Sequence, residues 1–303
     1  MKKVLLILVA LMPMFLSAQV KKLSKKSTAD DVQTFATAKA NAGAVDEAIA
    51  VLNEYGPKMK TDLDKAKLKT ALSMIYRDKQ DYDNEQKVLL EGLDLLRSAI
   101  ANKSFDTKKF TAADLEPSIA SYQTELCSIA IAYDSLELAE KYANEALNYY
   151  KSTLENTPAN HYYMSLNQGY LARIAVNKGM KALAAIYNND SYKSLAEYTK
   201  VYPTQGDNIP IVSGMLYSIV IIHREVENYA SAIELINKGI RLAYGPHLPG
   251  FYDELGVIYL KMNNFAAAQS AYQKVIDLDP KFYDTHFMSD MRFIFHRTSG
   301  NNQ

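Results

Sequence analysis

The residue types that could carry out chemistry are few in this sequence and far apart. The histidines are His161, His223, His247, His286 and His296. No pair of them has the HExxH spacing or another close helical spacing that metal ligands require. No phosphate-binding loop, dinucleotide fingerprint or G-x-S-x-G elbow is present. The sequence therefore predicts no catalytic site, no metal and no cofactor, and so no enzyme.

Cys127 is the only cysteine, so no intramolecular disulfide can form. It lies between Leu126 and Ile129 in an apolar segment. A thiol in such surroundings behaves as a small hydrophobic side chain. We therefore expect Cys127 to be buried and not to act as a nucleophile.

The charges and the tyrosines give weaker signals. Lys plus Arg and Asp plus Glu are both 34, so the balance offers no electrostatic argument for binding nucleic acid or an anionic membrane. Among 22 tyrosines, the pairs Tyr149-Tyr150 and Tyr162-Tyr163 could form stacking platforms for sugars or peptides. Tyrosines at helical spacing can equally pack between helices, because a buried hydroxyl needs only one partner.

The first residues are typical of an export signal. Lys2 and Lys3 precede an apolar run at residues 4–16, and Ser17-Ala18 before Gln19 offers a cleavage site for residues 1–18. The run is shorter than the about 20 residues of a membrane span, although an uncleaved anchor is the alternative. This start looks bacterial, and we expect a mature protein in the periplasm or outside the cell, without a transmembrane segment. We expect residues 19–28 to form a basic and mobile lead-in.

The rest of the chain has the pattern of helical hairpins. Glycine and proline are scarce, at 12 and 9, and apolar residues recur at helical spacing. We predict a break at residues 188–190, followed by an extra helix at 192–202, because Asn and Asp favour turns. The second helices of the hairpins start at large apolar residues, which are Val45, Tyr82, Leu136, Tyr229 and Phe265. The steps between them are 37, 54, 93 and 36 residues, so the step of 93 should hold one degenerate hairpin and an insertion.

The stretch at residues 252–280 shows what the hairpins are. Its pattern-forming residues are Tyr252, Leu255, Gly256, Tyr259, Ala268, Tyr272 and Pro280. They resemble the tetratricopeptide (TPR) repeat, W-x2-L-G-x2-Y, then A-x3-F, then P, with Tyr in place of Trp and of Phe. The clearest repeat covers residues 249–282. An ordinary helical hairpin is the alternative.

The resemblance implies an all-α, TPR-like right-handed superhelix of five or six antiparallel hairpins over residues 29–303, with a C-terminal capping helix at 282–296. Gly256 and Ala268 should let two helices approach closely. Glu85 stands where its repeat should have a small residue, which predicts a looser hairpin or a different register. His223 takes the place of a packing tyrosine, and we expect a buried histidine with satisfied polar atoms.

Proteins of this family usually bind partners in the inner groove of the stack, so the resemblance implies a scaffold for a protein or peptide partner. By the repeat geometry, the groove candidates are Gln33, Thr37, Thr70, Arg77, Arg173, Tyr217, Arg224, Asp253 and Lys261. The arginines could bind acidic peptide groups or could simply be solvated. The alternative function is a glycan-binding accessory protein of outer-membrane nutrient uptake.

Overall fold

The structure, a computed structural model, describes residues 23–24, 26–153 and 157–281. The predicted signal peptide, most of the lead-in and the predicted capping helix at 282–296 lie outside these residues. The described part of the chain forms twelve α-helices and no strand, so the all-α prediction is confirmed. None of these twelve helices is long and apolar enough to span a membrane.

The twelve helices form six consecutive antiparallel hairpins within the described ranges, which agrees with the predicted five or six. They are α1 (Ala29–Asn41) with α2 (Val45–Tyr55), α3 (Asp62–Asp78) with α4 (Tyr82–Asn102), α5 (Glu116–Ala132) with α6 (Leu136–Ser152), α7 (Pro158–Asn177) with α8 (Lys181–Val201), α9 (Ile209–Glu225) with α10 (Tyr229–Leu242), and α11 (Leu248–Lys261) with α12 (Phe265–Leu278). The chain divides into two compact units after Tyr149. In unit 1 and in unit 2 alike, apolar faces of neighbouring helices form the core.

One turn geometry joins the two helices of every hairpin. Each turn contains a single residue with a left-handed backbone, and these are Gly43, Gln80, Asp134, Gly179, Glu227 and Asn263. In each case the next N–H donates to the carbonyl five residues before it, at 2.8–3.0 Å. This bond satisfies a carbonyl that the helix end leaves open. The second helix begins two residues after the left-handed residue, so this residue marks the hairpin register along the chain.

The predicted break at residues 188–190 is wrong, because α8 runs without interruption from Lys181 to Val201. Asn188 is fully buried, and its Nδ2 donates to the Ile219 carbonyl at 3.0 Å. Ser191 Oγ donates to the Ser165 carbonyl of α7 at 2.8 Å. These tertiary hydrogen bonds outweigh the turn preference of the polar residues. In the described residues, the step of 93 from Leu136 to Tyr229 therefore holds one hairpin of two long helices and no inserted α-helix.

The repeat at residues 249–282 packs around a tyrosine. Tyr272 and Ala268 are fully buried, and a Cβ added to Gly256 would lie 2.5 Å from the Tyr272 ring. Gly256 therefore makes room for an aromatic ring of the second helix. Tyr252 and Tyr259 pack against the same cluster, whereas Pro280 is exposed beyond the end of α12.

Candidate partner-binding face

The predicted groove residues all lie on the first helices of the hairpins, α1, α3, α7, α9 and α11. These helices pack against one another within each unit: α1 contacts α3 in unit 1, and α9 contacts both α7 and α11 in unit 2. We call the side of the first helices that carries these residues the first-helix face of each unit. The chemistry of this face depends on which of its polar groups are already paired.

In unit 1, Arg77 is paired with two carboxylates. Its Nε lies 2.7 Å from Glu85 Oε1, and its Nη2 lies 2.7 Å from Glu125 Oε2 on α5. Burial raises the pKa of Glu125, the Arg77 charge opposes that rise, and the nearby Glu85 charge adds to it. The guanidinium of Arg77 thus pairs with the carboxylates of both Glu85 and Glu125.

The buried carboxylate of Glu85 corrects the expectation of a loose or misregistered hairpin. Glu85 is the fourth residue of α4, as the buried Ala232 is the fourth residue of α10, so the register holds. The position accepts a carboxylate because Arg77 Nε donates to it.

Unit 2 repeats this ion pair in the same register. Arg224 Nε lies 2.8 Å from Glu254 Oε2, and its Nη2 lies 3.1 Å from Glu225 Oε1. Arg224, like Arg77, is the second-last residue of its helix, and Glu254, like Glu125, lies seven residues before the end of the next first helix. An acidic group of a partner would therefore have to displace a carboxylate at either arginine.

Two further predicted groove residues, Thr70 and Tyr217, take part in packing between hairpins. In unit 1, Thr70 Oγ1 lies 2.7 Å from the hydroxyl of Tyr122, which donates to the Ala66 carbonyl at 3.0 Å. A Cβ on Gly92 would lie 2.3 Å from the Tyr122 ring. The hydroxyl is buried, which raises the pKa of Tyr122.

Unit 2 has the same contact with different side chains. Phe251 of α11 lies so close to Gly239 of α10 that an added Cβ would be 2.2 Å from its ring. Tyr217 packs edge-on against Phe251, with ring centroids 5.5 Å apart. Gly92 and Gly239 are each the eleventh residue of a second helix. We call this glycine–aromatic contact the inter-hairpin lock.

The remaining predicted groove residues differ in exposure. Thr37, Arg173 and Lys261 are exposed, and Gln33 and Asp253 are half-buried. Arg173 has no ion-pair partner among the residues that the structure describes, so it offers an unpaired cation on α7.

The rings of the predicted tyrosine platforms are largely occupied by contacts with other tyrosines. Tyr150 is buried and stacks on Tyr163, with ring centroids 4.9 Å apart and an angle of 3° between the planes. The contacts continue through Tyr162 and Tyr198 to Tyr202, which is exposed at the end of α8. The sequence did not indicate this array, because Tyr162 and Tyr198 are 36 residues apart and meet only through the packing of α8 on α7.

Two side chains that could be reactive, the thiol of Cys127 and the imidazole of His223, are both buried. Cys127 is fully buried, as predicted, and burial raises the pKa of its thiol to about 12. His223 is buried as well, and burial lowers its pKa. Its Nδ1 has no hydrogen-bond partner among the described residues, so the expectation of satisfied polar atoms is wrong for this nitrogen. In the same residues, no group of three or more His, Cys, Asp or Glu could hold a metal ion.

Comparison with known proteins agrees with this geometry. The family model described as tetratricopeptide repeat matches residues 249–282. Three solved structures are similar: a chain of the APC/C hetero-tetramer Cut9-Hcn1 (TM-score 0.58, 13% identity, 88% of this chain and 43% of that chain), BtubC (BKLC) from P. vanneervenii (0.55, 12%, 85% and 94%), and the apo form of RapI (0.52, 13%, 86% and 79%).

At these identities the structures show the fold alone, and this chain spans less than half the length of the Cut9-Hcn1 chain that it matches. A sequence search of curated proteins found no match. The fold covers most of the chain in the first comparison, and the repeat model matches the hairpin of α11 and α12. The chain therefore has an all-α, TPR-like fold, and its residues 249–282 match the tetratricopeptide repeat.

Proposed function

We propose that this protein is an exported scaffold that binds a protein or peptide partner in the cell envelope through its first-helix face and catalyses no reaction. The observation that carries the proposal is the repeated pairing of an inter-hairpin lock with an arginine–glutamate bridge in both units. Together they fix the spacing of neighbouring first helices before any partner arrives. A surface held in its binding geometry loses less entropy when it binds.

The charges of the first-helix face indicate which kinds of peptide it could bind. Arg77 and Arg224 already contact carboxylates, so they do not offer a free cation to an acidic peptide. The exposed groups that remain are the hydroxyl of Thr37 and the cations of Arg173 and Lys261. We expect hydrogen bonds to an extended or helical peptide to contribute more than a dense cluster of ion pairs.

Two further considerations support a binding role. TPR folds suggest scaffolds for protein–protein interaction, and the neighbour in the Cut9-Hcn1 hetero-tetramer is itself part of an assembly. The buried state of Cys127 and His223 also removes these groups from contact with a substrate.

Matched variants test the binding face. The purified protein is immobilised, and partners are recovered from envelope extract. Thr37→Lys and Arg173→Glu on first helices should reduce recovery of a specific partner at least tenfold. Asn237→Lys and Lys87→Glu make the same charge changes at exposed positions of the second helices α10 and α4 and should leave recovery unchanged. Equal losses from both pairs, or no specific partner with the unmodified protein, would contradict the proposal.

The export part of the proposal rests on the sequence of residues 1–18 and has its own test. N-terminal sequencing of the protein from the envelope or the medium should begin at Gln19. Leu8→Arg, which places a charge in the apolar run, should keep the protein inside the cell with residue 1 still present. Processing that is unaffected by Leu8→Arg would count against an export signal.

The glycan-binding alternative has less support from the geometry. The stacking of Tyr150 on Tyr163 occupies ring faces that a sugar would need. Only Tyr202, at one end of the array, is exposed. Titration with oligosaccharides while tyrosine fluorescence is followed would distinguish this function from peptide binding.

A further inference from the structure

Two connections between hairpins of unit 1 carry an excess of positive charge. They are residues 56–61, between α2 and α3, and residues 103–115, between α4 and α5. Five of these residues are lysines and two are aspartates, so their net charge is +3: Lys58, Lys60, Lys103, Lys108, Lys109, Asp106 and Asp114. The connections at residues 202–208 and 243–247 of unit 2 contain only one Lys, Arg, Asp or Glu, which is Asp207. The composition of the whole chain does not show this local excess, because its basic and acidic residues are equal in number.

Hydrogen bonds bring the two connections of unit 1 together. The N–H of Asp62, the first residue of α3, donates to Ser104 Oγ at 3.0 Å. The N–H of Leu63 donates to the carbonyl of the same serine at 3.3 Å. Lys60 is two residues before Asp62, and Lys103 is directly before Ser104, so the lysines of both connections lie on one edge of unit 1. We call the two connections together the basic edge.

The longer connection of the basic edge is held in place. Thr111 and Asp114 form a capping box, in which the Thr111 N–H donates to Asp114 Oδ2 at 2.7 Å. Phe110 lies against Lys67 of α3, whose Nζ is 5.8 Å from the ring centroid and 3.1 Å from Asp30 Oδ1 of α1. Connections of this length are uncommon in compact domains, and ordered ones are usually functional. The lysines are thus presented on a preformed surface, which lowers the entropy lost on binding.

Three lysines of the basic edge offer free positive charges. Lys60, Lys103 and Lys108 are exposed, and none of them has an ion-pair partner among the residues that the structure describes. The other two lysines of the edge pair with Glu54 and Asp106, at 2.6 and 3.5 Å. The three free charges can attract carboxylates without displacing one, unlike the paired arginines of the first-helix face.

The apolar residues of the basic edge indicate which kind of anion it would bind. Binding at a membrane surface needs apolar side chains that can insert into it, and stacking on nucleic-acid bases needs an accessible aromatic ring. The large apolar side chains here, Met59, Phe105 and Phe110, are all half-buried, and Leu115 is buried. Exposed ammonium groups without an exposed apolar neighbour fit the carboxylates of an acidic polypeptide better than a membrane or a nucleic acid.

We propose that the basic edge binds an acidic segment of a partner protein through Lys60, Lys103 and Lys108. This site consists of connections and not of first helices, and it rests on the proposed function only in taking the partner to be a protein. Charge attraction acts over a longer range than the contacts of the first-helix face, so it speeds the first encounter with the partner. The attraction weakens as salt shortens the Debye length.

Fluorescence anisotropy with a labelled polyglutamate peptide of about ten residues, at about 20 mM salt, tests the proposal. The unmodified protein should bind the peptide. The combined variant Lys60→Gln, Lys103→Gln and Lys108→Gln should bind it about tenfold more weakly, because each exposed ion pair contributes modestly. The control removes the same charge from exposed lysines of the second helices α4, α6 and α12, by Lys87→Gln, Lys151→Gln and Lys274→Gln. It should change the affinity less than about twofold. Equal losses in the two variants, or no binding by the unmodified protein, would overturn the proposal.

Salt dependence covers the case in which the combined variant fails to fold. Raising the salt from about 20 to about 300 mM should weaken binding of the peptide to the unmodified protein at least about tenfold, and an unchanged affinity would contradict the proposal. Thr37→Lys, on the first-helix face, should not weaken binding of the peptide, so failure at the basic edge is distinguished from failure of the proposed function. Tighter binding to phosphatidylglycerol vesicles, or to an oligonucleotide of equal charge, than to the peptide would indicate another class of partner and would overturn the proposal.

Discussion

Replacing Gly239 by alanine tests the inter-hairpin lock directly. The new Cβ would lie 2.2, 2.5 and 2.6 Å from three atoms of the Phe251 ring, closer than real Cβ contacts come. The ring cannot yield easily, because Phe251 is only 1% exposed and Tyr217 packs edge-on against it. Something in the contact between α10 and α11 therefore has to move.

Two opposing terms set the expected size of the effect. Overpacking of a core by a methyl group costs about 1–3 kcal/mol, and a clash with three ring atoms belongs at the upper end. Alanine in place of glycine inside a helix returns about 1 kcal/mol. We expect Gly239→Ala to lower the free energy of unfolding by about 2 kcal/mol.

The control is Gly169→Ala, in α7 of the same unit. A Cβ there would lie 3.5 Å from Ser191 Oγ, an ordinary contact, so the helix preference should stabilise the protein by about 1 kcal/mol. Urea unfolding followed by circular dichroism at 222 nm measures both variants. Phe251→Leu combined with Gly239→Ala should recover much of the loss, as a double-mutant cycle with a favourable coupling energy. If Gly239→Ala stabilises the protein as Gly169→Ala does, the lock as described is wrong.

Three other changes have defined outcomes. Gly43→Ala, at φ +83°, should cost about 1–2 kcal/mol, in contrast to Gly169→Ala inside α7, which should stabilise the protein. Thermal melts that show the same sign for both would refute the assignment of the turn. Arg224→Met leaves the carboxylate of Glu254, whose side chain is 7% exposed, without its cation and should lower the free energy of unfolding by about 3 kcal/mol. Adding Glu254→Gln should restore most of this loss. Urea unfolding midpoints measure both changes, and an unchanged midpoint for Arg224→Met would contradict the ion pair. Burial lowers the pKa of His223, so the folded protein favours the neutral ring. The neutral His223 ring therefore contributes its full stability above about pH 6.5, and this contribution is lost as the pH falls through the lowered pKa. His223→Gln should flatten that part of the pH dependence of the melting temperature.

The hairpin turns could be predicted largely from the sequence. Five of the six second helices start with a large apolar residue two positions after the left-handed residue, and this is the signal that the periodicity detects. The sixth, α8, starts with Lys181, so the signal is missing although Gly179 marks the turn. Gln80 and Glu227 adopt the left-handed backbone without being glycine or asparagine, which residue preference alone does not indicate.

The contacts between hairpins could not be predicted from the sequence. Gly92 and Tyr122 are 30 residues apart, whereas their equivalents Gly239 and Phe251 are only 12 apart, because the second helices, the loops and the first helices all differ in length. The pairing appears only when positions are counted from helix ends. Similarly, Asn188 looks like a turn residue until the Ile219 carbonyl of another helix is placed beside it.

The groove candidates show the same limit. Repeat geometry placed Arg77 and Arg224 on the first helices correctly, but it gave no indication that each would meet a glutamate of the next first helix. A side chain that looks available in one repeat can be neutralised by the neighbouring repeat. Pairing across repeats therefore has to be known before charged groove residues are interpreted as binding residues.

Photo-crosslinking in intact cells tests directly whether the first-helix face binds the partner. A photoreactive amino acid is placed at Thr37 and Arg173 on first helices, and at Lys87 and Asn237 on second helices, all of which are exposed. We expect one adduct of defined mass from Thr37 or Arg173 and none from Lys87 or Asn237. Adducts of the same mass from Lys87 or Asn237 but not from the first helices would contradict it.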